Sequence, residues 1–138
     1  MSAVYSVDVE ISAPVNPSEV TARVSDAITN LFPEADPEHV DGQLVAEVHT
    51  MDGFSEELHR AEILDTARSV FFGSLTGDHF EFDLKKQAAF EGRVNFAVGE
   101  PAELGDVHVA VTVREPDAEA YIDYIAPPTE DGTPVDTE

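Results

Sequence analysis

VHVAVTVRE, residues 107–115, sets valine at every second position from Val107 to Val113, with His108, Ala110 and Thr112 between. A period of two marks a half-buried strand, because successive side chains leave a strand on opposite faces. Upstream, Tyr5, Val7, Val9 and Ile11 alternate with Ser6, Asp8, Glu10 and Ser12. Phe80, Phe82 and Leu84 alternate with Glu81 and Asp83, and Leu44, Ala46 and Val48 share one side of residues 43–49. Val94, Phe96 and Val98 give a further strand. Such half-apolar strands need a covering layer.

Two segments of helical period supply it. Asn16-Pro17-Ser18-Glu19 reads as a helix start, with Asn16 as N-cap and Glu19 closing a capping-box-like pair. Val20, Val24, Ala27, Ile28 and Leu31 then fall on one face. Ser55 is placed to cap a second helix, in which Phe54, Leu58, Ala61, Leu64, Ala67 and Phe71 recur at helical spacing. Residues 33–41 read as a polar loop, 85–92 as a turn or short helix, and 117–125 as a short C-terminal helix. The order β-α-β-α-β-β-β plus that helix predicts an α+β fold in two layers. Two amphipathic helices pack on one mixed or antiparallel sheet. One domain over residues 1–126 and a mobile, acidic, proline-rich tail over 127–138 complete the expectation.

Composition narrows the setting. The chain has 138 residues, 42% of them hydrophobic, which suits one packed domain. It has no cysteine, so disulfides, thiolate metal sites and cysteine nucleophiles are excluded and a cytoplasmic protein is expected. The opening MSAVYSVDVE lacks the basic and apolar regions of a secretory leader, and no apolar run reaches the ~20 residues of a membrane helix. No membrane partner is expected. Asp and Glu number 29 against 7 Lys and Arg, a formal charge of −22. The acids are spread over the polar sides of patterned segments rather than gathered in one block. That distribution fits a whole surface adapted to high salt, where a Debye length of about 3 Å at 1 M makes such crowding tolerable.

The scarce cations are therefore informative. Arg60, Arg68, Lys85, Lys86 and Arg93 fall in one stretch of the chain, leaving only Arg23 and Arg114 outside it. With Gln87 and Asn95 they offer donors suited to phosphate and amides suited to base edges. A hairpin of strands 80–84 and 94–98 would bring Lys86 and Arg93 together. The alternative is that these cations neutralise nearby acids such as Glu62, Asp65 and Glu91. Phe72 and Phe90 are the phenylalanines least expected in the core. His39, His49, His59, His79 and His108 show no metal-ligand spacing, and no cofactor or metal is expected. GxSxG, P-loop, GxGxxG and HExxH patterns are absent, which gives no small-molecule substrate and no enzyme. Asp65, Asp78 and Asp83 as a metal-dependent hydrolase site compete poorly with solvated surface in so acidic a chain.

Ordered segments carry a resemblance. VNPSEVTARVSDAITNLFP (15–33), ILDTARSVF (63–71), FDLKKQAAFEGRVNF (82–96), PAELGDVHV (101–109) and YIDYIAPPTEDGTPV (121–135) resemble, in this order, an archaeal uncharacterised protein family. That family is described as RNA-binding through a fold like that of large-subunit ribosomal protein L-five. The resemblance, read with the acidity, suggests a haloarchaeal member. It implies an α+β fold, homodimers and an RNA-binding role without catalytic residues. Arg68 matches the arginine of ILDTAR, while Lys86, Gln87 and Asn95 match the KQAA and NF elements. Pro128 stands where the family commonly has a basic residue.

The expectation is thus a non-catalytic RNA-binding or ribosome-associated protein, or alternatively a dimeric protein-interaction adaptor. The dimer would form through a sheet edge or an apolar helix face, with the Val107–Val113 strand as an edge needing cover. Folding should depend on salt. Circular dichroism should show secondary structure at about 1 M KCl and its loss at about 0.1 M, where screening is weaker. Full native signal in dilute buffer would contradict the high-salt reading.

Overall fold

A computed structural model describes residues 5–97, 105–130 and 133–134. The alternating segments form β1 (Ser6–Pro14), β3 (Gln43–Val48), β4 (His79–Lys85) and β5 (Asp106–Glu115). The first helix is α1 (Thr21–Leu31), and β2 (Glu38–Val40) comes from the segment read as a polar loop. The sheet runs β2-β3-β1-β5-β4, with every neighbouring pair antiparallel. β5 is internal, hydrogen-bonded to β1 and β4, so the expectation that it is a bare edge is corrected. Its alternating valines are instead the centre of the core, each no more than 1% exposed.

Helices cover one face only. α1 buries Val24, Ala27, Ile28 and Leu31. The expected long second helix is two: α2 (Asp52–Arg60) and α3 (Leu64–Ser74). The break falls at Glu62, whose φ of 57° is left-handed. The 3–4 apolar spacing runs through the break unchanged, which is why the pattern alone reads as continuous. Ser55 caps nothing. It lies inside α2, buried, and donates to the Ile125 carbonyl at 2.6 Å. α5 (Ala118–Ile125) closes the layer with Tyr121, Ile122 and Ile125 in the core, and the Asp117 carboxylate caps its start. Phe82 on β4 lies 4.9 Å from Phe71 and 5.6 Å from Phe54, ring centre to ring centre, so one strand residue joins both halves of the split helix. Among the described residues no helix is long and apolar enough to cross a membrane.

The hairpin expected beyond β4 is only partly formed. Leu84 bridges Phe96, Lys85 N–H donates to the Asn95 carbonyl at 2.8 Å, and Ala97 N–H donates to Asp83. Val98 lies outside the described residues. The link is α4 (Lys86–Phe90), which turns back at Gly92, whose φ of 73° favours glycine. The acidic tail begins with a strand pair, β6 (Thr129–Glu130) and β7 (Thr133–Pro134); residues 131–132 and 135–138 lie outside the description.

Lys86 holds α4 in place. Its ammonium sits 3.0 Å from Glu19 Oε1 and donates to the Pro14 carbonyl at 2.8 Å. The two side chains are 4% and 7% exposed. Asn16 donates to the same carboxylate from its backbone N–H and from its side-chain amide. The Asn16–Glu19 pair thus forms, but it closes a turn of its own, and α1 starts later, at Thr21. Burial raises the Glu19 pKa, yet the hydrogen bonds from Asn16 and Lys86 outweigh it and hold the carboxyl below its ordinary value. Removing one partner of a buried pair strands the other charge. Lys86→Ala should therefore cost about 3–5 kcal/mol in denaturant unfolding, measured in high salt. Arg60→Ala, which removes an exposed cation, should stay within about 0.5 kcal/mol. Equal costs would show that the Lys86 pair is not an anchor.

Candidate nucleic-acid interface

The expected cationic residues do not form one surface. Lys86 is buried in its pair with Glu19 and offers no face to a phosphate. Arg68 lies on α3 and faces α5. Its guanidinium donates to Asp123 at 2.6 Å and to the Ala126 carbonyl, and stacks over Phe72 at 4.9 Å. It pins α5 and the chain after it to α3. Arg60 is exposed on α2 and paired with Glu57 at 2.9 Å. These three have structural partners that the sequence spacing did not reveal.

Lys85, Gln87, Arg93 and Asn95 are all exposed, and they sit on or next to the α4 turn. The Lys85–Asn95 backbone hydrogen bond sets those residues side by side, and Arg93 N–H donates to the Ala88 carbonyl. Arg93 reaches Glu91 at 3.0 Å, an exposed pair of small energetic worth. Arg23, distant in sequence, joins them. It projects from α1, and its guanidinium carbon lies 5.3 Å above the ring centre of half-buried Phe90, at the end of α4. The Asn30 amide ties α1 to the same helix end through the Ala89 carbonyl at 3.0 Å. The signal for Arg23 was present only as a lone cation on a helix face; its position next to α4 is a tertiary fact.

Ion pairing separates the seven cations further. Arg60, Arg68, Lys86, Arg93 and Arg114 each contact a carboxylate. Among the described residues, Arg23 and Lys85 contact none, and both border α4. In a chain of −22 that is the least expected place for two unpaired cations.

Among the described residues, the other side of the sheet carries no helix. Asp8, Glu10, Glu47, Glu81 and Asp83 project there, and Glu10 stands directly opposite Glu47. A concavity of about 830 Å³ lies on this face, lined by Glu10, Glu38, Glu47, Glu81, His79 and His108. Glu81 bridges two imidazoles, taking His79 Nε2 at 2.9 Å and His108 Nε2 at 2.7 Å. The other His108 nitrogen lies 2.8 Å from Asp83, so both of its ring nitrogens face carboxylates. That geometry selects the imidazolium, which donates from both. Among the described residues, Asp8, Glu47 and His49 bring ligating atoms within 4.8 Å of one another. Asp8 already pairs with Arg114 at 2.6 Å, which offsets the charge a cation would need.

These features define a two-layer α+β protein with one helix-covered face, one open acidic face and a cation-bordered corner. No family model matches the chain. A UPF0201 protein of Sulfurisphaera tokodaii is 37% identical over 133 residues, covering 91% of this chain and 90% of that protein. The chain belongs to this archaeal UPF0201 family. A UPF0200/UPF0201 protein of Archaeoglobus fulgidus is 36% identical over 131 residues, of which this chain spans 40% of the length. The crystal structure of a UPF0201 protein from Methanococcus jannaschii superposes with a TM-score of 0.87 at 32% identity, over 94% of this chain and 99% of that one.

The histidine network gives a pH signature. Burial lowers the His108 pKa, but Asp83 and Glu81 outweigh it and raise the group above its ordinary value. The hydrogen bond from His79 lowers Glu81, against burial and with help from His108. A raised histidine stabilises fully below its unfolded pKa and loses that contribution as pH rises through the folded one. A depressed carboxyl does the reverse on the acid side. The network should therefore contribute most between the two ordinary values, about 4.3 and 6.5. Histidine NMR titration should place His108 above the ordinary value, and Asp83→Asn should lower it. A His108 that titrates at or below that value would contradict the network.

Proposed function

We propose that this protein is a non-catalytic RNA-binding protein working in a concentrated-salt cytoplasm, and that its contact surface is the corner around α4. The observation that carries this reading is the placement, at the two ends of that helix, of the two cations that have no carboxylate partner among the described residues, Lys85 and Arg23. Exposed Arg93, Gln87 and Asn95 lie between or beside them. Phosphate contacts position a nucleic acid and amides reach base edges, so the corner holds both kinds of group. The likeness to ribosomal protein L-five belongs to the same proposal. Lys85 ends the row His79, Glu81 and Asp83 on β4, so the surface takes in the rim of the open sheet face but not its centre. That face displays carboxylates, and no phenylalanine or tyrosine projects from its strands to stack on a base.

At molar salt, counterion release contributes little, and binding rests on short-range hydrogen bonds and stacking. A charge-assisted hydrogen bond contributes about 1.5–3 kcal/mol. The double change Lys85→Ala and Arg93→Ala should thus weaken RNA association roughly tenfold or more in molar KCl. Neither residue is buried, so the fold should persist in circular dichroism. Wild-type affinity in the folded double variant would rule this corner out.

The acidic concavity supports a second reading, a protein-interaction adaptor that takes a basic segment on the open face. The homodimer implied by the family resemblance belongs to that reading, through the open face or the β2 edge. Absence of any RNA binding by the wild type in molar KCl would favour it.

A further inference from the structure

Arg23 differs from every other arginine of the chain in what it touches. Arg60, Arg68, Arg93 and Arg114 all direct a guanidinium nitrogen at a carboxylate between 2.6 and 3.0 Å away. Arg23 has no such partner among the described residues; like Arg68, it lies over an aromatic ring. The ring is well supported. Phe90 ends α4, whose first residue is the buried Lys86, and whose last carbonyls receive the Asn30 amide at 3.0 and 3.4 Å. Asn30 and Arg23 project from the same helix, α1, so platform and guanidinium are held by one element. Phe90 packs against the core and is only half buried, while Arg23 is exposed. The ring therefore backs the cation, while the arginine side chain stays open to solvent.

We infer that Arg23 is a base-stacking platform, and that the α1–α4 corner takes single-stranded RNA with an unpaired nucleobase laid on the Arg23 guanidinium. This rests on the RNA reading above and specifies its ligand. A guanidinium stacks on a base plane as it does on phenylalanine, and unpaired bases offer a free face that a duplex hides. A base on Arg23 would extend the Phe90–Arg23 stack by one layer. Lys85 and Arg93 are then available to flanking phosphates, and Gln87 and Asn95 to base edges. Stacking is tolerant of sequence, because every base has a π-face. It also survives molar salt, where long-range attraction does not.

The test compares three probes of equal length in molar KCl: an oligoadenylate, the same sugar–phosphate chain without bases, and a duplex containing the oligoadenylate. Wild type should bind the oligoadenylate at least about tenfold more tightly than the abasic chain or the duplex. Arg23→Lys keeps the charge and removes the plane. It should lose about tenfold for the oligoadenylate and almost nothing for the abasic chain. Circular dichroism of the exposed-site variant checks that the fold is intact. Equal binding of the oligoadenylate and the abasic chain, or an unaffected Arg23→Lys, would overturn base stacking while leaving phosphate contact at the corner standing. Duplex binding as tight as single-strand binding would overturn it too. Wild type binding none of the three would overturn the RNA reading and this inference with it.

Discussion

The buried contact between Lys86 and Glu19 is the constraint on which the corner depends. It joins the first residue of a five-residue helix to the turn that leaves β1, with the Pro14 carbonyl as a further acceptor. A helix that short has no stability of its own in water. Its geometry must come from tertiary contacts: the lysine at one end, the Asn30 amide at the other, and buried Ala89 between. Fixing α4 fixes the Phe90 ring, and the ring fixes Arg23. The same pair sets the exit direction of the chain toward Arg93, whose N–H returns to the Ala88 carbonyl. One of only two lysines in the chain is thus internal and structural.

Charge is distributed by face rather than at random. One sheet face is apolar and covered by four helices, with Phe82 linking α2 to α3. The opposite face carries carboxylates, two of them directly opposed, and is relieved by Arg114 and by the His79–Glu81–His108–Asp83 network. Directly opposed like charges destabilise an antiparallel pair, and salt screening weakens that repulsion. The corner is the exception on the surface: among the described residues, two cations there have no carboxylate partner, and a third has only an exposed one.

The fold was legible to the extent that its signals were periodic. Alternation located β1, β3, β4 and β5, because each has one face in a common core. The break at Glu62 was not legible, since Leu58, Ala61 and Leu64 keep helical spacing across it. β2 was not either: Glu38, His39 and Val40 are all exposed and show no alternation. The corner was half legible. Clustering in the chain pointed to residues 85–95, but it could not distinguish Lys85, which faces solvent, from Lys86, which a helix turn sends inward. Arg68 was read as a surface cation because Asp123, its partner, is far away in sequence. Arg23 carries no sequence signal for the mirror-image reason: its neighbour Phe90 is contributed by another element.

Chemical-shift mapping tests the central claim most directly. An isotope-labelled chain titrated with single-stranded oligoadenylate in molar KCl should show its largest amide shifts at Arg23, Lys85, Gln87, Arg93 and Asn95. Glu10, Glu47 and His108 on the open face should stay still. Largest shifts on the open face, or no shifts at all, would contradict the account.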